Sequence, residues 1–254
     1  AEILKYKQSI CVSGTHGKTT TSSLIASMMI AGNKKPGFVI GGILNAIGGN
    51  IRVGNSDIFV TEACEYTNSY HSFAPTIAVI LNIREDHLDF FKDLKDIQSS
   101  FRRFASLVPN NGRIIANGDD ANTKDALEGL DYLSFGFGEN NRIRAVNISS
   151  DYRSFDVVCD GQLYCHLNLQ VLGAHNVLNA LGAASAAWAL GIDGQSVSRG
   201  LATFTGAERR LQFKGEFNGA KVYDDYAHHP GELAATLKAV RCMGDNRVII
   251  AFQP

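Results

Sequence analysis

Ile10-Cys11-Val12-Ser13-Gly14-Thr15-His16-Gly17-Lys18-Thr19-Thr20-Thr21 is the stretch around which the chain is organised. Its apolar opening, Ile10 to Val12, reads as a buried strand running into a glycine-flanked loop, and a helical pattern follows Gly17-Lys18-Thr19 at once. Strand, loop and helix in that order make a phosphate cradle. Backbone N–H groups at a helix N-terminus point at an anion, and the helix dipole adds positive potential. Lys18 supplies a point charge for β- and γ-phosphates, with no core role expected for it, and the Thr19 hydroxyl can hold Mg²⁺. The generic pattern asks for glycine where Val12 stands, so it is missed by one residue. A structural Gly-Lys-Thr turn is the competing reading, which the order of elements disfavours. The stretch reads as a nucleoside triphosphate site.

The surrounding chain has 254 residues, enough for one large domain or two. Apolar residues make up 45% and charged residues 19%, as in ordinary globular proteins. A net charge of -1 gives no electrostatic case for nucleic acid or an anionic membrane. No apolar run approaches the ~18 residues of a membrane span, and the polar start, Ala1 to Gln8, is not expected to be a signal peptide. Cys11, Cys64, Cys159, Cys165 and Cys242 show no zinc spacing. A two-residue turn at Asp160-Gly161 would pair Cys159 with Gln162 and put Cys165 on the opposite face, away from a disulfide. Reduced thiols and a cytoplasmic location are expected.

Downstream of the loop, Leu24, Ile25, Met28 and Met29 share a helical face and Gly32 suits its end. Pro36 to Ile40 reads as a strand before a glycine-rich loop, Gly41 to Asn45. Ile58 to Thr61 and Ile77 to Leu81 are short apolar runs, as in strands buried on both faces. Leu94 to Val108 keeps helical spacing, and Arg113 to Ala116 is again a strand. This alternation predicts an α/β fold with a mostly parallel sheet flanked by helices. From Tyr132 to Leu172 the texture is that of an antiparallel β extension. Helices are expected over Ala174 to Leu190 and Ser196 to Phe204, then a hinge at Gly206-Ala207-Glu208. Strands at Leu211 to Phe217 and Ala220 to Tyr223, a helix over Pro230 to Val240 and a strand at Val248 to Phe252 complete the pattern. This last piece stops in mid-pattern at Pro254, as though cut from something longer.

Several polar residues fall where chemistry is expected. Glu62 ends a predicted parallel strand, at the edge where ligands bind, and is a natural Mg²⁺ ligand directly or through water. Glu65 is the weaker candidate, and a solvated carboxylate is the alternative for both. His87, in Glu85-Asp86-His87-Leu88-Asp89 after the next strand, can bind a metal as neutral imidazole or steer a polar substrate. A helix-capping run of acids is its plainer reading. Asn176 and Asn179, three apart at a helix start, suit a purine edge or ordinary capping. Arg209-Arg210 can stabilise a transferring phosphoryl group. Asp224-Asp225-Tyr226-Ala227-His228-His229-Pro230 is compatible with a capping turn.

Together GTHGKTTT (14–21), EACE (62–65), NIREDHLD (82–89), GAHNVLNA (173–180), the hinge arginines and DDYAHHP (224–230) resemble the Mur ligase family across essentially the whole chain. That family's loop also lacks the first glycine. The resemblance implies a central ATPase domain at 9–207, preceded by a linker remnant at 1–8 and followed by the start of a Rossmann-like C-terminal domain at 208–254. GTHGKT, DDYAHHP and Phe252-Gln253-Pro254 look most like the branch that adds L-alanine to UDP-N-acetylmuramate in peptidoglycan precursor synthesis. The branch recycling a cell-wall tripeptide shares GTHGKTTT, and a non-catalytic ATP-binding module is the other alternative. ATP and Mg²⁺ are the implied cofactors. The resemblance gives the ATP cradle to Gly14, Thr15, His16, Gly17, Lys18, Thr19 and Thr20, the metal to Thr19, Glu62 and His87, and the adenine to Asn176 and Asn179. It gives the ribose to Asp225, and catalysis to Lys18, His87 and Arg210, the last also touching nucleotide. His16 and the Gly41–Asn45 loop would face the sugar substrate. Several members carry a carbamylated lysine on the helix after EDH; Ile97 to Arg103 has none, which matches the alanine-adding branch. Alone, the chain is expected to be inactive.

Overall fold

The structure, a computed structural model, describes residues 1–44, 48–206, 209–244 and 247–253. The chain runs β1 (Gln8–Ser13), α1 (Lys18–Ala31), β2 (Gly37–Leu44), β3 (Gly49–Arg52), β4 (Ile58–Glu62), β5 (Ile77–Ile80), α2 (Leu94–Ala105), β6 (Arg113–Asn117) and α3 (Ala121–Ala126). It continues through β7 (Leu133–Gly136), β8 (Ile143–Val146), β9 (Ser154–Cys159), β10 (Gln162–Asn168), α4 (Ala174–Ala189) and α5 (Gly194–Ala202). A smaller unit follows: β11 (Gln212–Phe217), β12 (Ala220–Asp224) and α6 (Pro230–Arg241).

The first ten strands form one sheet in the order β10-β9-β8-β7-β6-β5-β1-β4-β2-β3. Pairing is parallel from β2 through β4, β1, β5, β6 and β7 to β8. It is antiparallel at both ends, β2–β3 and β8–β9–β10. Side chains alternate between two covered faces, as the two-residue period of a strand requires. Ile10, Val12, Ile77 and Val79 join the cluster beneath α1, α4 and α5. Cys11, Ala78 and Ile80 join Phe101 and Phe104 of α2 on the other side. Each such fully buried large apolar side chain contributes roughly 1.5–3 kcal/mol. Helix starts are fixed locally: Asp93, Asp120 and Asp193 cap α2, α3 and α5 by accepting the backbone N–H three residues on.

The mostly parallel α/β fold is therefore as the sequence predicts, with four corrections. The β extension is antiparallel only in its second half, since β7 and β8 continue the main sheet in parallel before β9 and β10 turn antiparallel. Gly41 to Leu44 belongs to β2 rather than to a loop, because edge strand β3 pairs with it at Leu44 and Gly49; Asn45 lies outside the described residues. The Asp160-Gly161 turn does pair Cys159 with Gln162, both turn residues having positive φ. A bulge between Leu163 and Cys165 then shifts the register, so Cys165 is buried on the same side as Cys159. The cysteines are free, and burial pushes the thiols of Cys11, Cys159 and Cys165 up to about 12. Finally, Val248 to Phe252 is not a strand. Among the described residues no strand pairs with it, and without a ladder an extended segment gains no backbone bonds. Ala207 and Glu208 of the expected hinge, and Pro254, lie outside the described residues.

Candidate functional site

The loops leaving β1 and β5 and the end of β6 gather around one cleft. In a doubly covered parallel sheet this edge is where backbone groups and helix N-termini converge. The cleft encloses about 950 Å³ and is lined by His16, Gly17, Thr19, Thr20, Asn176, Asn179, Arg210 and Asp225, together with groups of the second unit. No helix among the described residues is long and apolar enough to cross a membrane.

The loop after β1 is braced from below by β5. Asn82 clamps His16 from both sides, accepting its N–H at 2.9 Å and donating to its carbonyl at 3.0 Å. Thr15 Oγ1 accepts the Arg84 N–H at 2.9 Å, and Arg84 pairs with buried Asp120. Gly17 is needed for two reasons. Its φ of 89° is left-handed, and a Cβ there would overlap the Asn179 amide. The chain thus turns straight into α1 with its first N–H groups uncapped by any side chain, the arrangement that receives an anion.

Lys18 departs from its expectation. Its Nζ donates to the carbonyls of Gly14 at 2.6 Å and Thr15 at 3.2 Å, and to both oxygens of Glu65 at 3.1 and 2.9 Å. Glu65 is only 2% exposed. Lys18 is thus the structural partner of a buried carboxylate. Removing it would leave that charge unpaired, at a cost of roughly 3–5 kcal/mol when such a pair is fully buried. The pairing with Glu65 is invisible to spacing, since Lys18 opens α1 while Glu65 lies in the loop after β4, 47 residues further along the chain.

Thr19 and Glu62 do come together: Thr19 Oγ1 donates to Glu62 Oε2 at 3.1 Å, while Gly41 N–H donates to Oε1 at 2.5 Å. Two hard oxygens beside the phosphate loop fit an Mg²⁺ ion. His87 stands apart. Its N–H donates to Asp86 at 2.8 Å and its ring lies 4.5 Å from that of Tyr66. Among the described residues no contact joins it to Thr19 or Glu62, and no three carboxylate, histidine or cysteine side chains form a ready metal cage.

Asn176 and Asn179 meet each other, Asn179 Nδ2 donating to Asn176 Oδ1 at 3.1 Å, and Asn176 also holds the Leu172 carbonyl at 2.8 Å. They line the cleft beside His175, whose imidazole burial pushes towards the neutral form. Asp225 is engaged as a turn staple, accepting the N–H of Ala227 at 2.7 Å and of Leu211 at 2.9 Å and the Thr236 hydroxyl at 3.1 Å. Arg210 reaches Glu232 at 3.4 Å. Sequence reasoning passed over Asn82, Asp120 and Glu232. Glu232 has the look of a first-turn capping acid, and nothing in its spacing announces the cleft.

Comparison with known proteins adds to this geometry. Residues 12–187 match the Mur ligase middle domain and residues 209–254 the Mur ligase, glutamate ligase domain. The chain is 45% identical over 255 residues to the UDP-N-acetylmuramate–L-alanine ligase of Caldanaerobacter subterraneus subsp. tengcongensis, covering 98% of this chain and 55% of that protein. The chain thus spans about half the length of the curated relatives it matches. Among solved structures, the UDP-N-acetylmuramate-alanine ligase of Thermotoga maritima superposes with a TM-score of 0.79 at 29% identity, covering 92% of this chain and 54% of that one. The UDP-N-acetylmuramate:L-alanyl-gamma-D-glutamyl-meso-diaminopimelate ligase of Neisseria meningitides gives 0.73 at 31% identity, covering 81% and 68%.

Proposed function

The chain belongs to the Mur ligase family, and we propose that it is the ATP-handling part of a ligase joining L-alanine to UDP-N-acetylmuramate in peptidoglycan precursor synthesis. The observation that carries this reading is the phosphate loop after β1, opening on a cleft that Arg210 of the second unit also lines. We assign 9–207 to the ATPase domain and 208–254 to the start of the domain that closes over it. Residues 1–8 are assigned to the linker before them.

The chemistry this implies is transfer of the γ-phosphoryl group of ATP to the muramyl carboxylate, giving an acyl phosphate and ADP. The alanine amine then attacks the acyl carbon and phosphate leaves. In the first step the loop N–H groups, Lys18 and Arg210 offset charge on the phosphates, as preorganised donors do in phosphoryl transfer. Thr19 and Glu62 would hold Mg²⁺, which when bound neutralises further phosphate charge. Asn176 and Asn179 would present amide edges to adenine. Asp225, already fully engaged in its turn, would meet the ribose with an oxygen shared with those contacts. His87 would serve a substrate or metal group brought to it, since Thr19 and Glu62 do not touch it. His16 and Gly41 would border the sugar substrate.

The 31% identity to the tripeptide-adding enzyme favours a second reading, in which the acceptor is that peptide. Full-length protein is to be given UDP-N-acetylmuramate, ATP and Mg²⁺ with either L-alanine or the tripeptide, and products sought by mass spectrometry. UDP-N-acetylmuramoyl-alanine with ADP is expected. Product from the tripeptide alone moves the assignment to the recycling branch, and no product from either leaves a binding module. Lys18→Ala should fall below about a tenth of wild-type turnover, as loss of a transition-state charge contact does. Glu65→Gln combined with Lys18→Ala separates that loss from the unpairing of Glu65.

A further inference from the structure

Glu232 receives groups from both units of the molecule. It lies in the first turn of α6 with its side chain 14% exposed. His16 Nδ1 stands 3.3 Å from its Oε1 and Arg210 Nη1 3.4 Å from the same oxygen. The His228 N–H donates to Oε2 at 3.4 Å. Around this carboxylate the His229 ring packs on His16 with centroids 4.7 Å apart, and its Nε2 lies 3.3 Å from the Glu85 carbonyl. The second unit therefore touches two loops at the C-terminal edge of the sheet, after β1 and after β5.

A carboxylate this enclosed is costly unless paired. Burial pushes Glu232 up, but the His16 hydrogen bond and the Arg210 charge outweigh it and bring the carboxyl down to about 2. Helix capping accounts for the His228 N–H. It gives no reason for the same oxygen to take a histidine of the phosphate loop and the arginine that faces it.

We propose that Glu232 is a positioning residue whose carboxylate ties His16 of the phosphate loop to Arg210, so that docking of the second unit and alignment of the arginine occur together. The inference rests on the ligase reading. Glu232 itself lines the cleft, and in this reading it acts through the two groups it holds. Asn82 holds the loop histidine at its backbone, and the ring is turned towards Glu232 of α6.

The test is a double-mutant cycle in the full-length protein with His16→Ala, Glu232→Gln and the pair. Each single change is expected to lower kcat about tenfold, with the double variant within about twofold of the worse single. Hydrogen–deuterium exchange without ATP gives an activity-independent readout: Glu232→Gln should raise exchange at residues 14–20 as well as in α6. Multiplicative losses, wild-type kcat in Glu232→Gln, or exchange altered in α6 alone would each overturn the tie. A wild-type enzyme that forms no product but shows the coupled exchange would instead overturn the ligase reading and leave the tie standing.

Discussion

The ten-stranded sheet and the β11–β12–α6 unit use the same kinds of residue and bury them very differently. Ile10, Val60 and Val79 in the sheet are wholly enclosed, whereas Phe213 and Phe217 of β11 are 54% and 70% exposed. Helix α4 buries Val177 and most of its following turns, while α6 buries only Ala239. The sheet is held by apolar packing on two faces. The second unit is held at the cleft by polar contacts, Glu232 to His16 and His229 to Glu85, while Asp225 staples its own turn. A region with few buried apolar contacts opens at lower free energy than one with many. The molecule thus places its phosphate loop on a rigid scaffold and faces it with a loosely packed unit. The exposed apolar segment Val248 to Phe252 belongs to the loosely packed side.

The largest expected effect breaks the scaffold alone. Phe104→Ala should cost roughly 3–5 kcal/mol, as for a fully buried aromatic, while Phe217→Ala should stay within about 0.5 kcal/mol. Urea unfolding of both variants checks this, and equal losses would abolish the contrast between the two regions. A smaller effect separates metal binding from docking. Glu62→Gln should raise the Mg²⁺ concentration for half-maximal activity roughly tenfold, because a neutral amide is a weaker ligand for a hard cation. Exchange in α6 should stay unchanged in that variant. An unaltered Mg²⁺ titration would remove Glu62 from the metal site.

The smallest effect concerns acid. The docked Glu232 carboxyl sits at about 2 against an ordinary 4.5. Its contribution to docking is therefore fully present above about 4.5 and lost as pH falls towards 2, because the undocked form binds the proton more tightly. X-ray scattering should show the wild-type radius growing as pH drops below about 4.5, with Glu232→Gln already expanded at about pH 6. Identical pH curves for the two proteins would show that the polar tie does not hold the second unit.

Much of the scaffold was legible because its signals are local. Apolar runs of strand length, helical spacing from Leu94 to Phe104 and the Asp160-Gly161 turn each encode their own conformation. The short strand β3 and the one-and-a-half-turn helix α3 escaped notice, being too brief for periodicity to register. Gly41-Gly42 was misread because glycines ordinarily mark loops. Here Gly41 instead brings bare backbone against Glu62, where a Cβ would stand only 3.0 Å from a carboxylate oxygen. Cys165 was put on the wrong face because a bulge carries no signature in so mixed a strand.

For the site, the sequence by itself determined which residue types stand at the sheet's binding edge: the Gly14–Thr20 loop, Glu62, the paired asparagines and the arginine after the hinge. Those follow from short motifs whose geometry is set by neighbours in the chain. Only the tertiary structure decided how the charges are partnered. Lys18 meets Glu65, Thr19 meets Glu62, His87 stands apart, and Glu232 joins His16 to Arg210. Electrostatic pairing falls off with distance in space and takes no account of distance along the chain. Two loops carried by different strands can therefore neutralise one another's buried charges with no trace in the spacing of either.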